Sequence, residues 1–123
     1  MTQKRAVCLN CIDGRVQLPV INWIMGHHKV DYVDMITEPG MDGLLADNNN
    51  PIEEINRKIR ISIKNNNANM IFVVGHHDCR ANPVKELVHK DQILMAVKRL
   101  KPVFSEMPIK GIWVNSEWKI VQL

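Results

Sequence analysis

Met70–Val74 is a run of five apolar residues with no polar alternation, bounded by Asn65-Asn66-Asn67 before it and Gly75-His76-His77-Asp78-Cys79-Arg80 after it. A strand with one wet face alternates apolar and polar residues. A continuous apolar run of strand length instead marks a strand covered on both faces, as in parallel sheets. Parallel strands cannot be joined by tight hairpins, so a chain built around such a strand must place helices between its strands.

The flanking segments supply them. Ala6–Leu9 predicts a first strand that exits into Cys11-Ile12-Asp13-Gly14-Arg15. Leu18, Ile21, Ile24 and Met25 recur at helical spacing, with Pro19 suited to a first turn and Gly26 to a stop. Val30–Ile36 predicts a second strand, closed by the Pro39-Gly40 turn. Asn50 as cap and Pro51 as opener start a second helix, with Glu53 and Glu54 in its first turn and Ile52, Ile55, Ile59 and Ile63 striping one face. Asn82-Pro83 predicts a further helix start, and Ile93, Val97 and Leu100 a later helical stretch stopped by Pro102. Ile109–Val114, the turn Asn115-Ser116-Glu117 and Trp118–Val121 predict a hairpin. The order β-α-β-α-β-α-β implies an α/β fold: a three-layer, mostly parallel sheet with helices on both faces and a C-terminal hairpin strand. The 123 residues suffice for one domain over 1–123, which buries somewhat under about 70% of its unfolded surface without disulfide staples.

Composition narrows the function. The net charge is only +3, no block of like charges occurs, and the aromatic residues are not interleaved with Arg or Lys clusters, so no nucleic-acid partner is expected. No apolar run approaches the roughly 20 residues of a membrane span. The start Met1-Thr2-Gln3-Lys4-Arg5 lacks the apolar core of an export signal, which predicts a cytoplasmic protein. Three cysteines, an odd number, then point away from structural disulfides and toward metal ligation or catalysis.

Open parallel sheets bind ligands beyond the carboxyl ends of their strands, where the strand order reverses. If the first strand and the Met70 strand are neighbours, Cys11, Asp13 and Arg15 face His76 and Cys79 across one crevice. Two sulfurs and one imidazole leave a fourth position open, the arrangement of catalytic zinc; structural zinc takes all four ligands from the protein. Asp13 would either bind the metal or accept a hydrogen bond from metal-bound water, and a bidentate clamp by Arg15 would keep it ionised and off the ion. Other arrangements fit the same residues. Cys8-x-x-Cys11 with His76-x-x-Cys79 could close a structural site, although alternation along a strand turns Cys8 into the core. His77 competes with His76. Asp13–Arg15 could be an ordinary loop ion pair, worth about 0–1 kcal/mol if exposed. His27, His28 and His89 are expected at helix ends or on the surface.

Cys11-Ile12-Asp13-Gly14-Arg15 and His76-His77-Asp78-Cys79, together with Val73-Val74-Gly75 and the element order, resemble the β-class carbonic anhydrases, whose signature is Cys-x-Asp-x-Arg after the first strand and His-x-x-Cys after the third. The resemblance implies that Cys11, His76 and Cys79 ligate one Zn2+, and that Asp13 and Arg15 form the dyad that gates or orients the zinc-bound water. It also implies reversible hydration of carbon dioxide to bicarbonate by zinc-bound hydroxide, in a homodimer or higher homo-oligomer. This chain departs from the family pattern at Gly14, where serine is common, and at Arg80, where glycine is common. Thr37-Glu38-Pro39-Gly40 replaces Arg-Asn-Ala-Gly, and the first strand begins where most members have a helical arm. Two further functions use the same parts: hydrolysis of carbonyl sulfide or carbon disulfide, and a zinc-binding module without turnover.

Overall fold

The computed structural model describes residues 3–123; Met1 and Thr2, the start of the segment read as lacking an export signal, lie outside the described residues. Five strands, β1 (Arg5–Cys11), β2 (Tyr32–Glu38), β3 (Ala68–His76), β4 (Ile109–Val114) and β5 (Ile120–Gln122), form one sheet in the order β2-β1-β3-β4-β5. The first four are parallel and β5 runs antiparallel to β4. The helices are α1 (Gln17–His28), α2 (Met41–Ala46), α3 (Glu53–Asn66) and α4 (Glu86–Leu100), with a 3-10 turn at Gly14–Val16. The chain leaves β1 toward β2, then crosses back over β1 to β3, so the order reverses between β1 and β3.

Alternation along β1, β3 and β4 splits the core into two layers. Val7, Leu9, Ile71, Val73 and Trp113 pack against α2, α3 and α4. Ala6, Cys8, Phe72, Val74, Ile112 and Val114 pack with Val16, Val20 and Ile24 of the α1 region. Three helices thus cover one face and one helix the other. Ile55 and Ile59 are buried on α3, as their spacing predicts. Asn67 ends that helix in the left-handed region (φ 60), donating its N–H to the Ser62 carbonyl.

Several expectations are corrected. Helix α1 runs past Gly26 to His28 and is stopped by Lys29 in the left-handed region. Its buried residues are Val20 and Ile24, whereas Leu18 and Met25 face outward. Asn50 does not cap α3, whose N-cap is Ile52; its Nδ2 donates instead to the Leu44 carbonyl at 3.0 Å. No helix starts at Asn82-Pro83; residues 80–85 are irregular and α4 begins at Glu86. Helix α2 was read only as the Pro39-Gly40 turn, because it is short and carries Gly43. Gly40 sits at φ 60 immediately before α2, a conformation that glycine adopts at little cost. The hairpin strand starts at Ile120, with Trp118 (φ 59) belonging to the turn.

Candidate metal centre

The reversal between β1 and β3 brings two polar strand ends together. Cys11 is the last residue of β1 and His76 the last of β3; Cys79 follows on a loop turned by Asp78 at φ 58. The Sγ atoms of Cys11 and Cys79 are 3.9 Å apart. With a His76 nitrogen, these ligand atoms all lie within 4.8 Å of one another, and all three residues are buried. Two thiolates at about 2.3 Å from one tetrahedral ion would be about 3.8 Å apart, so the observed sulfur spacing fits.

The imidazole supplies a second test. His76 Nδ1 lies 2.8 Å from the His77 carbonyl oxygen, which can only accept, so Nδ1 carries the proton. In the neutral ring Nε2 then carries the lone pair, and this atom is buried with no hydrogen-bond partner among the described residues. A backbone carbonyl on one ring nitrogen and a free lone pair on the other is how metal-binding histidines are oriented. Burial, and then the neighbouring Cys11 sulfur, push the Cys79 thiol up to about 11. A divalent ion among these groups would reverse that, since a coordinating thiol loses its proton. The donor set therefore fits zinc. Cys8 is wholly buried in the α1-side core and lies outside this group; burial raises its pKa strongly.

Asp13 and Arg15 stand beside the three. Asp13 Oδ1 accepts the Arg15 N–H at 2.9 Å, opening the 3-10 turn. The Arg15 guanidinium donates to the same carboxylate through Nε (3.2 and 3.1 Å) and Nη2 (2.7 Å). Those bonds hold the Asp13 carboxyl down at about 2 and raise the Arg15 pKa. The loop is fixed from behind by Gln17, whose Nε2 donates to the Cys11 and Asp13 carbonyls at 2.7 and 2.8 Å. Asn10 is also buried, accepting the Cys11 N–H at 2.8 Å and donating to the Val16 carbonyl at 3.2 Å. An open cleft of about 600 Å3 reaches the group from the Cys11 side, lined by Ile12, Asp13, Arg15 and Arg80 among others.

Sequence reasoning placed Cys11, Asp13, Arg15, His76 and Cys79 in one crevice, and the fold brings all five there. His77, the rival of His76, is exposed. His89 is a correction: it is buried, with Nδ1 2.6 Å from Asp42 Oδ2, on the sheet face opposite the cysteines. Asn10, Gln17, Asp78 and Trp118 were missed. The signal available was a lone polar residue in an apolar strand for Asn10, and a place inside His-x-x-Cys for Asp78.

Comparison with known proteins bears on the family and the fold. No curated protein sequence is significantly similar to the chain. Among solved structures, the β-carbonic anhydrase CcaA superposes with a TM-score of 0.63 at 14% identity, covering 98% of this chain and 80% of that one. A tetrameric β-carbonic anhydrase from the filamentous ascomycete Sordaria macrospora gives 0.54 at 13% identity, covering 98% and 81%. At such identities the likeness shows the fold alone. A family model described as "Putative carbonic anhydrase" matches residues 1–123. The chain belongs to this carbonic anhydrase family, and its fold is that of the β class.

Proposed function

We propose that the chain holds one zinc ion through Cys11, His76 and Cys79 and interconverts carbon dioxide and bicarbonate. The observation that carries this reading is the buried, unpartnered Nε2 of His76 beside two sulfurs 3.9 Å apart. Zinc bound there supplies the Lewis acidity that makes water nucleophilic. The protein's own groups do the rest. Asp13 is held ionised and turned toward Arg15, which leaves its carboxylate as an acceptor that orients a proton rather than a fourth ligand. Ile12 and Ala81 give the cleft an apolar side suited to a neutral linear substrate. Cys11 and Cys79 as thiolates would cancel the charge of a bound zinc ion, whereas three imidazoles would leave it +2, so water would be acidified less and activity is expected to rise into alkaline pH.

The three free cysteines agree with a cytoplasmic setting, where thiols stay reduced. A homo-oligomer is part of the reading, supported by the tetrameric Sordaria proteins of the same fold.

The test is stopped-flow carbon dioxide hydration on protein of measured zinc content. The expected result is one zinc per chain, turnover that climbs between pH 7 and 9, loss of zinc in Cys79→Ala, and full zinc content in Cys8→Ala. Zinc bound without acceleration would favour a binding module, and sulfide release from carbonyl sulfide or carbon disulfide would favour the hydrolase. Zinc lost equally in Cys8→Ala would indicate a closed structural site.

A further inference from the structure

The Asp13–Arg15 pair does not stand alone. Arg15 is substantially exposed, with 43% of its side chain accessible. An exposed ion pair of this kind contributes little by itself and costs side-chain entropy to hold in one geometry. Yet every edge of this guanidinium is engaged. Nε and Nη2 face Asp13. Nη1 donates to Asp78 Oδ2 at 3.1 Å and Nη2 to the Asp78 carbonyl at 3.0 Å. The Trp118 ring lies under its face, 4.8 Å from the guanidinium carbon.

Asp78 and Trp118 are each set in place by unusual backbone. Asp78 is left-handed at φ 58, which presents both its carboxylate and its carbonyl to one cation. Trp118 is left-handed at φ 59; its N–H donates to the Asn115 carbonyl at 2.9 Å. Asn115 Oδ1 fixes the same turn by accepting the Glu117 and Lys119 N–H groups. The Trp118 ring also lies 6.4 Å from the His76 ring. Loops leaving β1, β3 and β4 therefore meet on one guanidinium.

We infer that Asp78 and Trp118 are positioning residues that lock Arg15 across these loops, so that Asp13 stays turned away from Cys11, His76 and Cys79 and the fourth corner stays open to an exogenous ligand. This rests on the zinc reading above. Without the Asp78 carboxylate the Nη1 edge of Arg15 is free, the guanidinium keeps only Asp13 and the residue-78 carbonyl as acceptors, and Asp13 can swing with it toward the ion and compete for that corner. Trp118 acts in the same direction by blocking rotation of the guanidinium plane.

The test uses the full chain with cobalt(II) in place of zinc and titrates azide, read from the visible absorption of the metal. Supporting shells of metal sites commonly change affinity about 10–100-fold, so Asp78→Ala should weaken apparent azide binding about 10-fold, and Trp118→Leu less. In an Asp13→Asn background the effect should vanish: Asp78→Ala/Asp13→Asn should bind azide as Asp13→Asn alone does, because the competing carboxylate is gone. Unchanged azide binding in Asp78→Ala, or a deficit that persists in the double variant, would overturn the inference. Should Asp78→Ala not fold, Asp78→Asn keeps one acceptor and should show the same direction with a smaller change. A second readout needs no metal: the Arg15 Nη1 protons, which bond Asp78 Oδ2, should be slow to exchange with solvent in the parent and fast in Asp78→Ala. Free exchange in the parent would also overturn the inference, whereas a parent with ordered Arg15 that fails to take up cobalt would overturn the zinc reading instead.

Discussion

Gly75→Ala tests whether the sheet face behind the cysteines is as tightly specified as the geometry implies. Gly75 lies on β3 next to His76, and a Cβ built there collides with Asp42 Oδ2 and comes within 2.8 Å of Ile93 Cδ1. Neither neighbour can step aside cheaply. Asp42 is buried, with Oδ2 held at 2.6 Å by His89 Nδ1 and Oδ1 at 2.9 Å by Asn82 Nδ2; Asn82 is itself tied to Gln92. Ile93 is wholly buried in the core. Overpacking of this kind costs about 1–3 kcal/mol, and displacing Asp42 leaves a buried partner of the His89 bond unmatched, about 1–3 kcal/mol more. The alanine gains back roughly 0.5 kcal/mol by stiffening the unfolded chain. The expected loss is therefore about 2–5 kcal/mol. An unfolding entropy of about 2.1 cal/mol/K per residue over a chain of 123 residues converts this to a fall in Tm of about 8–20 °C. Near-UV and far-UV circular dichroism melts, coincident if unfolding is two-state, measure it. Gly26→Ala is the control, since a Cβ there meets nothing within 4 Å inside α1; its Tm should hold or rise. A Gly75→Ala protein that melts within about 4 °C of the parent, well under the smallest fall expected, would refute the close-approach reasoning.

Two further outcomes follow from ties away from the metal centre. Asp34 accepts from Arg5 Nη1 (2.9 Å), Ser62 Oγ (2.6 Å) and Asn66 Nδ2 (3.0 Å); burial works against its ionisation, but these donors outweigh it and hold its pKa below the usual carboxylate value. A folded pKa below the unfolded one gives support that is complete above the unfolded carboxylate range and is lost as pH falls through the folded value. Asp34→Asn should therefore lower Tm at pH 7 and lose less than the parent between pH 5 and 3 in calorimetry; parallel pH profiles would contradict this. Arg99 donates through Nη1 to the Leu45 and Asp47 carbonyls (3.1 and 2.8 Å) and through Nη2 to the Asn50 carbonyl (2.6 Å). A lysine keeps the charge but not the fork, so Arg99→Lys should cost about 1–3 kcal/mol in urea unfolding and expose the amides of residues 47–50 to hydrogen exchange. An unchanged urea midpoint would show that the fork contributes nothing.

What could be read from the sequence divides along a physical line. The mostly parallel sheet was legible, and so was the Cys11, His76, Cys79 group on the condition that the first and third strands are neighbours, because both rest on local rules: an unalternated apolar run must be covered on both faces, and ligands gather at strand ends where the order reverses. Asn50 and Asn82 were read as helix caps on equally sound local grounds, since short polar side chains satisfy backbone donors at helix starts. Both do form hydrogen bonds, but to distant elements: Asn50 to the end of α2, and Asn82 to Asp42 and Gln92. Local pattern does not distinguish a cap from a tertiary tie, because the side-chain chemistry is the same and only the partner differs. His89 shows the limit most sharply. Its burial depends on Asp42, 47 residues away, and Asp42 has room only because Gly75 has no side chain. The same holds for Arg15, whose partner inside the Cys-x-Asp-x-Arg motif was legible while its second carboxylate, Asp78, lies 63 residues on. Polar residues read one at a time from local pattern are thus among those that tie α2 and α4 together behind β3 on one face and the β1 and β3 loops together on the other.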